Sequence, residues 1–76
     1  MKSQGNKQQF VVCIRNDEAE DIQPRKIYNV LPDDIAAKDG YLRVIDDSGE
    51  DYLYPADYFL PIVLPQEVEQ ALLVAA

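Results

Sequence analysis

The side chains in this sequence that could do chemistry are mostly carboxylates, and they come in clusters. Asp17, Glu18, Glu20 and Asp21 form one, Asp33 and Asp34 a second, and Asp46, Asp47, Glu50 and Asp51 a third. Two carboxyl groups can share general acid and base work when a cleft separates them and burial raises the pKa of one. Here the acids crowd turn-rich segments, where water keeps them ionised, so the pattern points away from acid catalysis. Residues 46–51 are dense in oxygen ligands for calcium. They lack the alternating spacing of an EF-hand loop, and a turn accounts for Gly49. Read structurally, the run is an acidic hairpin that discourages edge pairing.

The chain has no histidine, which removes the commonest general base and metal ligand and leaves no Ser-His or Cys-His pair to form. A zinc site would rest on Cys13 and carboxylates alone, unlike the usual ligand sets. Cys13 is the single cysteine, so no intrachain disulfide can form. Within the run Phe10, Val11, Val12, Cys13, Ile14 it reads as a small buried hydrophobe. Gly5, Gly40 and Gly49 are too far apart for a phosphate-binding loop. The expectation is a protein with no catalytic site and no cofactor.

Fourteen acidic residues stand against seven basic ones over 76 residues, a net charge of −7. Lys2 and Lys7 lie near the start, leaving five basic residues against fourteen acidic from Phe10 onward. Such a surface repels nucleic acid and anionic membranes, which bind through cationic side chains. It suits solubility or a basic partner. No run approaches the roughly 20 apolar residues of a membrane span. Residues 1–9 lack the apolar core of a signal peptide, so a cytoplasmic location is expected.

The elements that must position these residues are short. Residues 1–9, rich in Gln, Asn, Ser and Lys, read as a disordered leader. Strands are expected at 10–15, 26–31, 41–46, 50–54 and 59–63, dense in β-branched and aromatic types. In the third, Leu42 and Val44 fall on one face and Tyr41, Arg43 and Ile45 on the other. Asp47, Ser48 and Gly49 make the strongest hairpin signal. Pro61 marks the last strand as an edge or a strand end. Residues 16–25 read as a polar, acidic loop. Residues 35–37 could form one helical turn. Residues 66–75 form the convincing helix, with Val68, Ala71, Leu72 and Ala75 at helical spacing after Pro65. Leu73 and Val74 fall off that stripe and either fray or touch another molecule. Residues 10–64 are therefore expected as one small β-barrel and 65–76 as a helix packed on it or on a partner.

Tyr28, Tyr41, Tyr52, Tyr54 and Tyr58 add amphipathic rings, which serve both barrel cores and wet contact surfaces. Tyr54, between Leu53 and Pro55, reads as core. Tyr41 and Tyr58 remain open between packing and recognition.

In its order of features the stretch 10–62 resembles the Src-homology-three domain. Gly40, Tyr41, Leu42, Arg43, Val44 is similar to that family's Gly-Trp-Trp segment. Leu53, Tyr54, Pro55, Ala56, Asp57, Tyr58, Phe59 is similar to its Phe-Pro-x-Asn-Tyr-Val ending. The resemblance implies a five-stranded antiparallel barrel whose groove, at Tyr41, Pro55 and Tyr58, takes a proline-rich peptide. It also implies that Asp17, Glu18, Glu20 and Asp21 pair a basic residue of that ligand. The first strand lacks the family's aromatic residues, and the chain has no tryptophan. Residues 46–55 also resemble short bacterial proteins with a Ser-Gly-Glu-Asp-Tyr-Leu-Tyr-Pro ending, which bring no activity with them.

Two functional expectations follow. The first is a non-catalytic module that binds a protein or peptide, basic or proline-rich, over Tyr41, Pro55, Tyr58 and the acidic loop. The alternative is a structural or homo-oligomerising subunit that associates through Val68, Leu72, Leu73 and Val74.

Overall fold

The computed structural model describes residues 9–74. Five strands alternate with turns and two short helices: β1 (Gln9–Cys13), β2 (Ile27–Leu31), α1 (Asp34–Lys38), β3 (Tyr41–Ile45), β4 (Asp51–Pro55), a 3₁₀ turn (Ala56–Tyr58), β5 (Phe59–Ile62) and α2 (Gln66–Val74). The strands form one antiparallel sheet in the order β4-β3-β2-β1-β5. The fold is thus all-β with a short C-terminal helix. Gln9, read from sequence as part of the leader, opens β1, and the rest of the leader lies outside the described residues. The single turn expected at 35–37 is a five-residue helix.

The period-two pattern sorts the side chains. Val11, Cys13, Tyr28, Val30, Val44 and Phe59 face one side and form the core, with Leu42, Tyr54 and Tyr58 packed against them. Ladders end at β4 and β5, and among the described residues none joins these two strands. The expected barrel is therefore seen as a single sheet that backbone hydrogen bonds do not close. In a flat sheet four strand spacings would hold β4 and β5 roughly 19 Å apart. Instead Tyr54 of β4 meets Phe59 of β5 edge-on, with ring centroids 6.2 Å apart. Twist curls the sheet until side chains bridge the gap that the backbone leaves open. Pro61, with no N–H to donate, sits on an edge strand as its chemistry requires.

The loop between β1 and β2, expected as polar and acidic, also carries a core residue. Ile22, at 0% exposure, plugs the core from this loop. Asn16 shapes the segment by donating its amide to the carbonyls of Ala19 and Ile22, both at 3.1 Å. Asp17 and Glu18 adopt φ of 45° and 78° to make the reversal.

Two polar clusters lock the β3–β4 hairpin. Asp46, buried at the end of β3, accepts from the Ser48 hydroxyl, the Ser48 N–H and the Tyr54 hydroxyl. Gly49 completes the turn at φ +87°, a conformation that an L side chain resists. Beside it Tyr28 donates its hydroxyl to Asp47 Oδ2 at 3.0 Å and accepts from the Gln23 N–H at 2.9 Å. Lys26 pairs with the other Asp47 oxygen at 2.8 Å. The acidic hairpin is thereby tied to β2 and to the β1–β2 loop.

Candidate functional site

Pro55 leads into the 3₁₀ turn, whose last residue is Tyr58. The Tyr58 carbonyl accepts from the N–H of Ile14 at 2.7 Å, which clamps the turn to the end of β1. On one side the Tyr58 ring tilts against Phe59, with centroids 6.4 Å apart. Toward the acidic loop stands Arg15, its guanidinium 5.5 Å from the centroid of the Tyr58 ring. Asp17 holds Arg15 in place by a bidentate pair at 3.1 and 2.7 Å. Hydrogen bonding from Arg15 keeps the Asp17 carboxyl below its ordinary pKa, while burial and then Asp17 push the Tyr58 hydroxyl upward.

This corner sets a guanidinium against an aromatic face and a carboxylate. An aromatic face and a carboxylate fork together satisfy a guanidinium on two sides. Here the cation is the chain's own. From sequence, Arg15 had no role beyond closing the first expected strand. The signal that could have found it is its spacing, two residues before Asp17 on a chain about to reverse.

The remaining expected residues are distributed. Glu18 and Glu20 are exposed on the loop, and the Asp21 carbonyl accepts from the Asp47 N–H at 2.8 Å, next to the hairpin. Tyr41 pairs with Pro55 across β3 and β4. The pleat turns both away from the face that carries Leu42 and Val44. Tyr41 lines a cleft of 410 Å³ with Leu31, Pro32, Asp33, Ala37 and Arg43, which includes neither Tyr58 nor the acidic loop. Arg43, one of its lining residues, donates to Asp33 at 2.8 Å and to Asp51 at 3.0 Å. The Ala36 N–H and then Arg43 hold Asp33 below the usual carboxylate range. Tyr58 and Asp17 are thus together, Tyr41 and Pro55 are together, and the two pairs look in different directions.

No family model, curated protein or solved structure matches this chain. What the site can do therefore rests on its own geometry.

The carboxylates with the tightest geometry serve the fold. Burial pushes the Asp46 carboxyl up, but the bonds donated by Ser48 and Tyr54 outweigh it, so the group lies below its ordinary value. That is the opposite of a general acid. Burial pushes the Cys13 thiol up, and Cys13 donates to the Arg15 carbonyl at 3.2 Å. Among the described residues no group of three or more acidic or cysteine side chains is arranged to hold a metal ion. No described helix is long and apolar enough to cross a membrane. On α2, Val68, Leu72 and Leu73 are 40%, 39% and 47% exposed, and Val74 is 81% exposed.

Proposed function

We propose that this protein acts by binding a segment of another protein and performs no catalysis. The binding corner is Tyr58 with Asp17, next to Glu18 and Glu20 of the exposed loop, while Pro55 faces the Tyr41 side and Asp21 lies by the hairpin. The observation that carries this reading is Arg15 seated on the Tyr58 ring and forked by Asp17, because it displays the corner's preference for a guanidinium. An arginine from a basic or proline-rich partner takes the same seat in exchange. The order of elements supports a Src-homology-three-like frame, with the 3₁₀ turn at Pro-Ala-Asp-Tyr preceding the last strand. Tyr41, on the other side of Pro55, extends this surface only for a ligand that wraps the end of β4. The test is a pull-down with wild type and Tyr58→Ala; an unchanged partner profile with the variant counts against this corner.

A second reading, an oligomerising subunit, is favoured by the exposure of Val68, Leu72, Leu73 and Val74 on α2. Sedimentation before and after removal of residues 66–76 separates the two. A dimer that becomes a folded monomer supports the second.

A further inference from the structure

Away from the core, the part of the sheet built by β5, β1 and the start of β2 is largely apolar as well, while Arg43 and Asp51 stand further along on β3 and β4. Strand register aligns Ile62, Phe10, Asn29 and Ile45 in one cross-strand row, and Leu60, Val12 and Ile27 in the next. An antiparallel sheet of this size commonly turns a polar face to water, so a second apolar face calls for a cover. α2 supplies part of one. Leu72 and Leu73 form one wall of a groove of 550 Å³, Phe10, Ile27, Asn29 and Ile45 form its floor, and Asp47 stands at its lip. Phe10 is 4% exposed, but Ile27 and Leu60 remain 41% and 53% exposed. No residue of α2 is buried. The helix lies over the middle of the face, and among the described residues nothing buries the helix in turn.

Two independent observations define what fits beside it. The side-chain carbonyl of Asn29 is buried in the floor with no hydrogen-bond partner among the described residues, so the floor lacks a donor. The rim is acidic on balance. Asp46 and Asp47 line the groove against Lys26, which pairs with Asp47 at 2.8 Å and leaves Asp46 in excess. The helix that supplies Leu72 and Leu73 carries Glu67 and Glu69 and no basic residue. A second copy of the chain would bring like charges together, whereas a basic segment meets this rim with complementary charge.

We propose that this groove docks a basic, amphipathic helical segment of another protein. Its apolar side chains rest on Ile27 and Ile45 against Leu72 and Leu73, its cations face the acidic rim, and a side-chain donor reaches Asn29. The mode is that of a helix laid in a groove. The surface is distinct from the Tyr58 corner, so either assignment can fail without the other.

The test titrates the isotope-labelled full chain with a short amphipathic leucine–lysine helix, a lysine–serine peptide of equal charge, and a leucine–glutamate peptide of equal pattern. The leucine–lysine helix is expected to bind and to move the amide signals of Ile27, Asn29, Ile45, Leu72 and Leu73. Ile27→Ser weakens it about tenfold, while Tyr58→Ala leaves it unchanged. Leu72→Ser, placed on α2 outside the sheet, is the second variant and weakens it similarly. Equal binding by the lysine–serine peptide means charge alone and overturns the proposal. Shifts centred on Tyr58 and Asp17 overturn it too. So does sedimentation of the free chain as a dimer with the Leu72 and Leu73 amides already protected, which gives the groove to a second copy.

Discussion

The Tyr54 hydroxyl on β4 donates to Oδ2 of Asp46 at 2.6 Å, and Asp46 is only 5% exposed. The charge of this carboxylate is held by Tyr54 and Ser48, which are neutral donors. Tyr54→Phe removes one donor and leaves the buried carboxylate short of a partner. We expect a loss of about 1.5 to 3 kcal/mol in urea unfolding at neutral pH, typical of a hydrogen bond to a charged group. An unchanged midpoint would sink this account of the hairpin.

Stability falls at both ends of the pH scale. Asp17, Asp33 and Asp46 all have lowered pKa values in the fold. Their contribution is complete above the unfolded value near 3.9 and is lost as pH drops through the lower folded values. Burial pushes Tyr28 up to about 12 and Tyr54 higher still. Their contribution is complete below the unfolded value near 10 and declines as pH rises through the folded ones. Absorbance of tyrosinate should show Tyr28 and Tyr54 ionising late, and Tyr54→Phe should remove one late step.

Ile22 lies in a loop but is fully buried. Ile22→Ala should cost about 2 to 5 kcal/mol, as for other large-to-small changes in a packed core. The whole domain has roughly 4 to 11 kcal/mol available at ordinary stability per residue. Thermal unfolding should therefore move down sharply, and a small shift of the midpoint would mean that the loop does not plug the core.

Asn29 presents the opposite situation. Replacing an unpartnered buried acceptor by an apolar side chain of similar shape removes a desolvation penalty. Asn29→Leu is expected to stabilise the free protein by about 1 kcal/mol in urea titration and, because the docked segment donates to the Asn29 carbonyl, to weaken the leucine–lysine helix. Destabilisation would show that the amide has a partner in solution.

Arg15 competes with any arginine that a partner brings to Tyr58 and Asp17. Arg15→Ala should leave the fold intact, since the pair is half exposed. It should also raise the affinity of a synthetic proline-rich peptide carrying one arginine by about threefold to tenfold in fluorescence titration. Tyr58→Ala should abolish the gain. Equal affinities for wild type and Arg15→Ala would remove Arg15 from the proposed site.

Most of the sheet was legible because strand alternation is a local property. The alternation of Tyr41 through Ile45 assigns Leu42 and Val44 to one face, and the sheet keeps them there. The hairpin at Ser48 and Gly49 and the edge position of Pro61 follow from backbone chemistry within a few residues. Tyr54 packs on the core as its apolar neighbours implied. The candidate site was less legible. Tyr41 and Tyr58 are similar as residue types, and only the pleat of β3 at the first and the 3₁₀ turn at the second show that one looks away from the core while the other packs against it.

By itself the sequence determined the all-β class, the acidity, the lack of histidine and the positions of the turns, each a matter of composition or of neighbours along the chain. Tertiary structure alone decided that Ile22 enters the core, that Arg15 occupies Tyr58 and that α2 half-covers the outer face at Phe10 and Asn29. Those outcomes depend on contacts between segments far apart in sequence, or on how a loop reverses, and residue type alone does not specify which apolar or charged group will meet which.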